Sequence, residues 1–93
     1  MREIKWSTAF KKDYRRIKKG RYAKTLDKEL TEIVNRLIHD QPLPESACDH
    51  ALIGKYKDCR DCHIYPDLVL IYRKTEYDEL ELIRMESHSN LSF

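Results

Sequence analysis

The chain has 93 residues, a net charge of +2, and 37% charged against 41% hydrophobic residues. That is enough for one modest core, with more charge than the roughly 25% of ordinary domains, and two glycines and three prolines exclude collagen-like and low-complexity readings. The longest apolar run, Leu68 to Tyr72, is far short of the ~20 residues that span a bilayer.

In chain order, residues 2–6 (Arg-Glu-Ile-Lys-Trp) alternate polar and apolar, which predicts a short strand with Ile4 and Trp6 on one face. Ser7 offers an N-cap, Phe10, Tyr14 and Ile17 recur at helical spacing, and Gly20 is the expected stop, so a first helix follows. Leu26, Leu30, Ile33 and Leu37, widened by Val34 and Ile38, predict a second helix that the prolines at 42 and 44 terminate. After an irregular stretch over 48–57, three strands are expected at Cys59–Ile64, Leu68–Arg73 and Leu80–Met85, joined by gaps short enough for antiparallel hairpins. The continuous apolar run of the middle strand predicts a central position, covered on both faces. The predicted order is β-α-α-β-β-β over a single unit, residues 1–93. It describes an α+β fold, an antiparallel sheet with two N-terminal helices packed on it.

Charge is unevenly placed. Residues 1–39 carry twelve Lys/Arg against five Asp/Glu, and residues 40–93 carry six against eleven. The block from Lys11 to Lys28 holds nine positive and two negative charges. Such a block suits a polyanion, either nucleic acid or an acidic protein segment, although a solvated helix face has the same composition. With no apolar stretch after the basic start to serve as a secretory signal, the expected setting is cytoplasmic. There the three cysteines, Cys48, Cys59 and Cys62, are expected as reduced thiols.

Histidine is the side chain whose unperturbed pKa lies near neutrality, so a cluster can supply both a proton acceptor and a proton donor. Three of the four histidines, His50, His63 and His88, fall in the loop-and-sheet half, beside Asp49 and Asp67. His63 and Asp67 flank the Tyr65-Pro66 turn, and His50 and His88 flank the strands, so the cluster can gather at one end of the sheet. Scattered surface histidines would have the same spacing. His39, at the end of the second helix, is expected to complement the helix dipole. Cys59-Arg60-Asp61-Cys62-His63 matches the C-x-x-C-H pattern of covalent haem attachment, and Cys48 would complete a zinc ligand set. Both readings fail on the strand expected there, because a C-x-x-C knuckle needs a turn. No metal or other cofactor is expected.

The run Asp49-His50-Ala51-Leu52, Gly54-Lys55-Tyr56, Arg60-Asp61, His63, Pro66-Asp67 and Leu70-Ile71-Tyr72, continued by Arg84, His88 and Leu91, resembles the YafQ-like branch of the RelE toxin family. The resemblance spans essentially the whole chain, and the predicted element order is also that family's arrangement. It implies a bacterial, metal-independent endoribonuclease of a toxin–antitoxin module, cutting messenger RNA in the ribosomal A site and silenced by a cognate, acidic antitoxin. It assigns His50, His63, Asp67 and His88 to the active site. It marks Arg60, Arg84 and Lys55 as basic groups for the phosphate and Phe93 for stacking on a base, and it leaves Lys11, Lys12, Arg15, Arg16, Lys18 and Lys19 for the ribosome or the antitoxin. One departure stands out: the family's terminal His-x-x-Leu-Phe becomes His88-Ser89-Asn90-Leu91-Ser92-Phe93, which moves the phenylalanine one residue late. Cleavage without a metal would use the substrate's 2′-OH as nucleophile, with His63 and Asp67 on the base side and His88 protonating the leaving group. His50 would hold the phosphate or share the base role. The alternative is a non-catalytic RNA- or protein-binding module using the basic helices.

Overall fold

Ser7 starts the first helix as its spacing predicts. The Ser7 Oγ accepts the Phe10 N–H at 2.9 Å, and its hydroxyl donates to the Ile83 carbonyl at 2.6 Å, which fastens the helix start to the last strand. The computed structural model describes residues 1–52 and 54–87. Its regular elements are β1 (Glu3–Trp6), α1 (Thr8–Ile17), α2 (Leu26–Ile38), β2 (His50–Ala51), β3 (Arg60–Tyr65), β4 (Leu68–Lys74) and β5 (Glu79–Ser87). Single 3-10 turns occupy Glu45–Ala47 and Gly54–Tyr56.

α1 ends at Ile17, ahead of Gly20. The Lys19 and Gly20 N–H groups bond back three residues, to Arg16 and Ile17, tightening the last turn without a left-handed cap. α2 ends before its prolines act. Asp40 adopts φ 53°, its N–H bonds to the Leu37 carbonyl and the Gln41 N–H to the Arg36 carbonyl, a Schellman closure with aspartate in the left-handed position. His39 Nδ1 lies 2.8 Å from the Asn35 carbonyl, so this histidine serves the helix end, as expected.

The five strands form one sheet in the order β1-β5-β4-β3-β2, with β4 in the centre. The α+β class and the three-strand meander agree with expectation; two details differ. β1 pairs with β5 in parallel, Glu3 opposite Glu79, so the sheet is mixed. The two helices supply the crossover that a parallel pair requires. The expected irregular stretch also contributes the short β2, with His50 opposite Asp61 and Ala51 opposite Arg60.

Both helices lie on one side of the sheet. Phe10, Leu26, Ile33, Val34, Leu37 and Ile38 meet Cys62, Ile64, Leu68, Leu70, Tyr72, Leu80, Leu82 and Met85 in a single apolar core. At roughly 25 cal/mol per Å² of buried apolar surface, this cluster is the main stabilising contact of the fold. Among the described residues, the buried apolar Leu52, Val69 and Ile71 stand outside it. Val69 and Ile71 alternate with Leu68, Leu70 and Tyr72 along β4, so they face the other side. β4 is covered on both faces, as its unbroken apolar run predicts.

Candidate active site

Residues directly opposite on neighbouring strands point to the same face of a sheet. The registers therefore place two rows across the face away from the helices. The first runs His50, Asp61, Ile71, Arg84; the second runs His63, Val69, Glu86. His50 and His63 stand one strand and two residues apart, which places their backbones roughly 8 Å from each other. Val69 and Ile71 floor the space between the polar side chains. Four strands thus bring together His50, His63 and Arg84 from separate stretches of chain.

His50 is fixed at both ring nitrogens. Nδ1 lies 2.8 Å from the Cys48 carbonyl, which only accepts, so Nδ1 carries a hydrogen. Nε2 lies 2.9 Å from Asp61 Oδ1. The Asp61 side chain is fully buried while that of His50 is 54% exposed, so a proton arriving at Nε2 is shared with a carboxylate shielded from water. His63 Nδ1 lies 3.1 Å from the Pro66 carbonyl, which orients its ring by the β3–β4 turn and makes Nε2 the basic nitrogen of the neutral ring.

Asp67 occupies the same turn, and its carboxylate accepts from the Tyr22 hydroxyl and the Arg21 guanidinium, both in the α1–α2 connection. Those bonds, Tyr22's first, hold Asp67 below the usual carboxylate range, so it is an anion at neutral pH. Arg84 reaches α1. Its Nε and Nη2 donate to Asp13 at 2.7 and 3.2 Å, and Nη2 also donates to Glu86 at 2.5 Å. Asp13 additionally accepts the Met85 N–H at 3.0 Å, along the part of β5 that β1 does not cover. The Asp13 bonds push the Arg84 guanidinium up, so it is a permanent cation.

Arg60 does not join the rows. It precedes Asp61 on β3 and so faces the helix side, where it donates to Asp49 at 3.2 Å beside the Tyr72–Asp49 bond of 2.6 Å. Lys11, Lys12, Arg15, Arg16 and Lys19 are exposed, Arg16 also lying 3.4 Å from Glu86, whereas Lys18 is tied to Asp27 and Ala23. His88, Phe93 and the Lys55 side chain lie outside the described residues. Cys62 is buried in the apolar core, which pushes its thiol well up; Cys59 is half-buried, also raised, and lies just before β3. Among the described residues no three His, Cys, Asp or Glu side chains are grouped to hold a metal ion.

Three carboxylates of this site escape the sequence reading: Asp61, Glu86 and Asp13, buried to 0%, 7% and 4% exposure. The available signal was alternation, since Asp61 stands two residues before His63 and Glu86 two after Arg84. Arg21 and Tyr22 carry no such signal, because only the tertiary fold brings them to Asp67.

Two helices on one face of a mixed sheet, with histidines, an arginine and buried carboxylates on the other, define a small α+β protein of the toxin type that the sequence resembles. A family model described as "Bacterial toxin of type II toxin-antitoxin system, YafQ" matches residues 2–92. The mRNA interferase toxin YafQ of Escherichia coli K12 is 34% identical over 86 residues, which cover 91% of this chain and 86% of that protein. A Haemophilus influenzae protein named as a YafQ toxin is 39% identical over 87 residues, covering 73% of this chain and 85% of its own. Among solved structures, a copper-bound mutant toxin from Helicobacter pylori superposes with a TM-score of 0.89 at 37% identity, covering 99% of this chain and all of that one. The E. coli DinJ-YafQ complex gives 0.84 at 32% identity, with both chains fully covered. The chain belongs to the YafQ family of bacterial type II toxins.

Proposed function

We propose that this chain is an mRNA interferase, the endoribonuclease toxin of a type II toxin–antitoxin module acting in the bacterial cytoplasm. The observation that carries the reading is the pairing of His50 and His63 on one sheet face, each oriented by a backbone carbonyl, in a chain of the YafQ family. One oriented imidazole to take a proton off a 2′-OH, with a second beside it to hold charge on the phosphate, supplies two of the parts that such a cleavage requires.

His63, through Nε2, takes the 2′-hydroxyl proton, and the 2′-oxygen attacks the adjacent phosphorus. The bond to the 5′-oxygen breaks, leaving a 2′,3′-cyclic phosphate and a 5′-hydroxyl. His50, sharing its Nε2 proton with Asp61, stabilises charge on the phosphate, and the Arg84 cation adds to it from the far end of the row. Asp67 assists on the base side, and His88 protonates the leaving oxygen. Lys55 and Phe93 contact the RNA. Arg60 acts from the sheet end, beside Asp49.

The reaction takes place on messenger RNA in the ribosomal A site. The exposed Lys11, Lys12, Arg15 and Lys19 serve the ribosome or the antitoxin, an acidic protein in the role that DinJ holds beside its E. coli relative. No metal enters the reaction. A programmed ribosome carrying mRNA with a 2′-deoxy substitution at the scissile nucleotide tests this reading. The all-ribose message should be cut to a cyclic phosphate end, and the substituted one left intact. Normal cutting of the deoxy message would overturn it.

A further inference from the structure

The α1–α2 connection carries a side-chain cluster that reaches across to the β3–β4 turn. The Tyr22 ring lies on the Tyr65 ring at 3.9 Å between centroids and 10° between planes. Tyr65 in turn hydrogen-bonds Thr25 through its hydroxyl, 2.5 Å from Oγ1. The Tyr22 carbonyl accepts the Thr25 and Leu26 N–H groups at 3.2 and 2.9 Å, so backbone and ring are both held at the start of α2. From that seat the Tyr22 hydroxyl donates to one oxygen of Asp67, and Arg21 to the other. A carboxylate oxygen accepts about two hydrogen bonds, so each retains capacity after these. The groove beside Asp67, about 300 Å³, is lined by Arg16, Gly20, Arg21 and Leu68 and is cationic on its helix side.

The two donors are unequal. The Arg21 side chain is 71% exposed, and water and salt screen such a pair to little. The Tyr22 hydroxyl is half-buried and aimed by a ring that packing immobilises, so its direction costs little further entropy. We propose that Tyr22 is a positioning residue of the ribonuclease site: seated on Tyr65, its phenol fixes the Asp67 carboxylate as the hydrogen-bond acceptor presented to the RNA. This rests on the reading that Asp67 serves cleavage. It extends the site from the sheet to the α1–α2 connection, a segment remote in sequence from every histidine in it.

The test is a double-mutant cycle of Tyr22→Phe and Asp67→Asn, read as single-turnover cleavage on programmed ribosomes. Phenylalanine keeps the ring and its stack and removes only the donor. Tyr22→Phe should stay folded with a melting temperature within a few degrees of the parent's, cut roughly 10-fold more slowly, and shift the Asp67 carboxyl titration to higher pH by NMR. In the Asp67→Asn background the same change should slow cutting less than about 2-fold, since the phenol acts through that carboxylate. A parental rate in Tyr22→Phe, an equal loss in both backgrounds, or loss of fold in Tyr22→Phe would each overturn the proposal. Full activity in Asp67→Asn would overturn it too. Failure of the underlying ribonuclease reading is a separate result, seen as full cleavage by His50→Ala and His63→Ala.

Discussion

The two faces of the sheet are built from the same strands and do opposite work. Toward the helices, Cys62, Leu70, Tyr72 and Met85 lie in a continuous apolar core. One residue to either side along β3, β4 and β5, the opposite face carries Asp61, Ile71 and Arg84, and His63, Val69 and Glu86. Alternation lets a single strand hold the fold together with one set of residues and present chemistry with the other. Val69 and Ile71 are where the two tasks meet, because β4 must bury apolar side chains on both sides to give the polar rows a rigid floor. Damage to stability and damage to activity should therefore separate by residue parity.

The sharpest way to break that comparison is Leu70→Ala, which empties the centre of the helix-facing core. It should cost about 3 kcal/mol in chemical denaturation, the range for a buried leucine whose surroundings cannot collapse. Its opposite is His63→Ala, one face away. That variant should lose roughly 10²-fold in cleavage, with an unfolding free energy within about 0.5 kcal/mol of the parent. An equal loss of stability from both kinds of change would erase the distinction.

How far the sequence alone reaches follows the same line. The helices and the meander are local, so spacing in Leu26, Leu30, Ile33 and Leu37 or in Leu68–Tyr72 discloses them without knowledge of neighbours. The parallel seating of β1 is not local; Glu3–Trp6 has the alternation of a strand, but direction and partner depend on β5 at the far end of the chain. β2 is two residues long and exists only because Arg60 and Asp61 are there to pair with it. Among site residues, His50 and His63 announce themselves by type and by resemblance. Asp61 and Glu86 look like ordinary exposed carboxylates until the register buries them, and Arg60 stands next to Asp61 in the chain while parity turns it to the other face, beside Asp49.

Two smaller effects refine the picture. Cys62→Ser places a hydroxyl in the apolar core, and about 1–2 kcal/mol of stability should be lost while the cleavage rate holds, measured on the folded fraction. Away from both faces, Asp40 joins Arg2 and Lys74 at the end of α2, with Lys74's bond the larger, and its pKa is lowered from 3.8 to about 2. A carboxylate depressed in the folded state adds stability above its unfolded pKa and loses it as pH falls through the folded value. Asn tolerates the same left-handed backbone, so Asp40→Asn isolates the charge. The small melting-temperature advantage of the parent over Asp40→Asn should be constant above about pH 5, shrink through 3.8, and be lost as the pH falls through about 2. An advantage that grows on acidification would contradict the ion pairs.

The parallel pairing of β1 with β5 also sets a schedule. During synthesis β1 leaves the ribosome first and waits for its partner until Glu79–Ser87 has been translated. Neither α1's tether at Ile83 nor the Asp13–Arg84 contact can form before then. Contacts between distant parts of a chain are the slow ones to establish. A growing copy of this chain thus carries its two polar rows unassembled until β5 has been made.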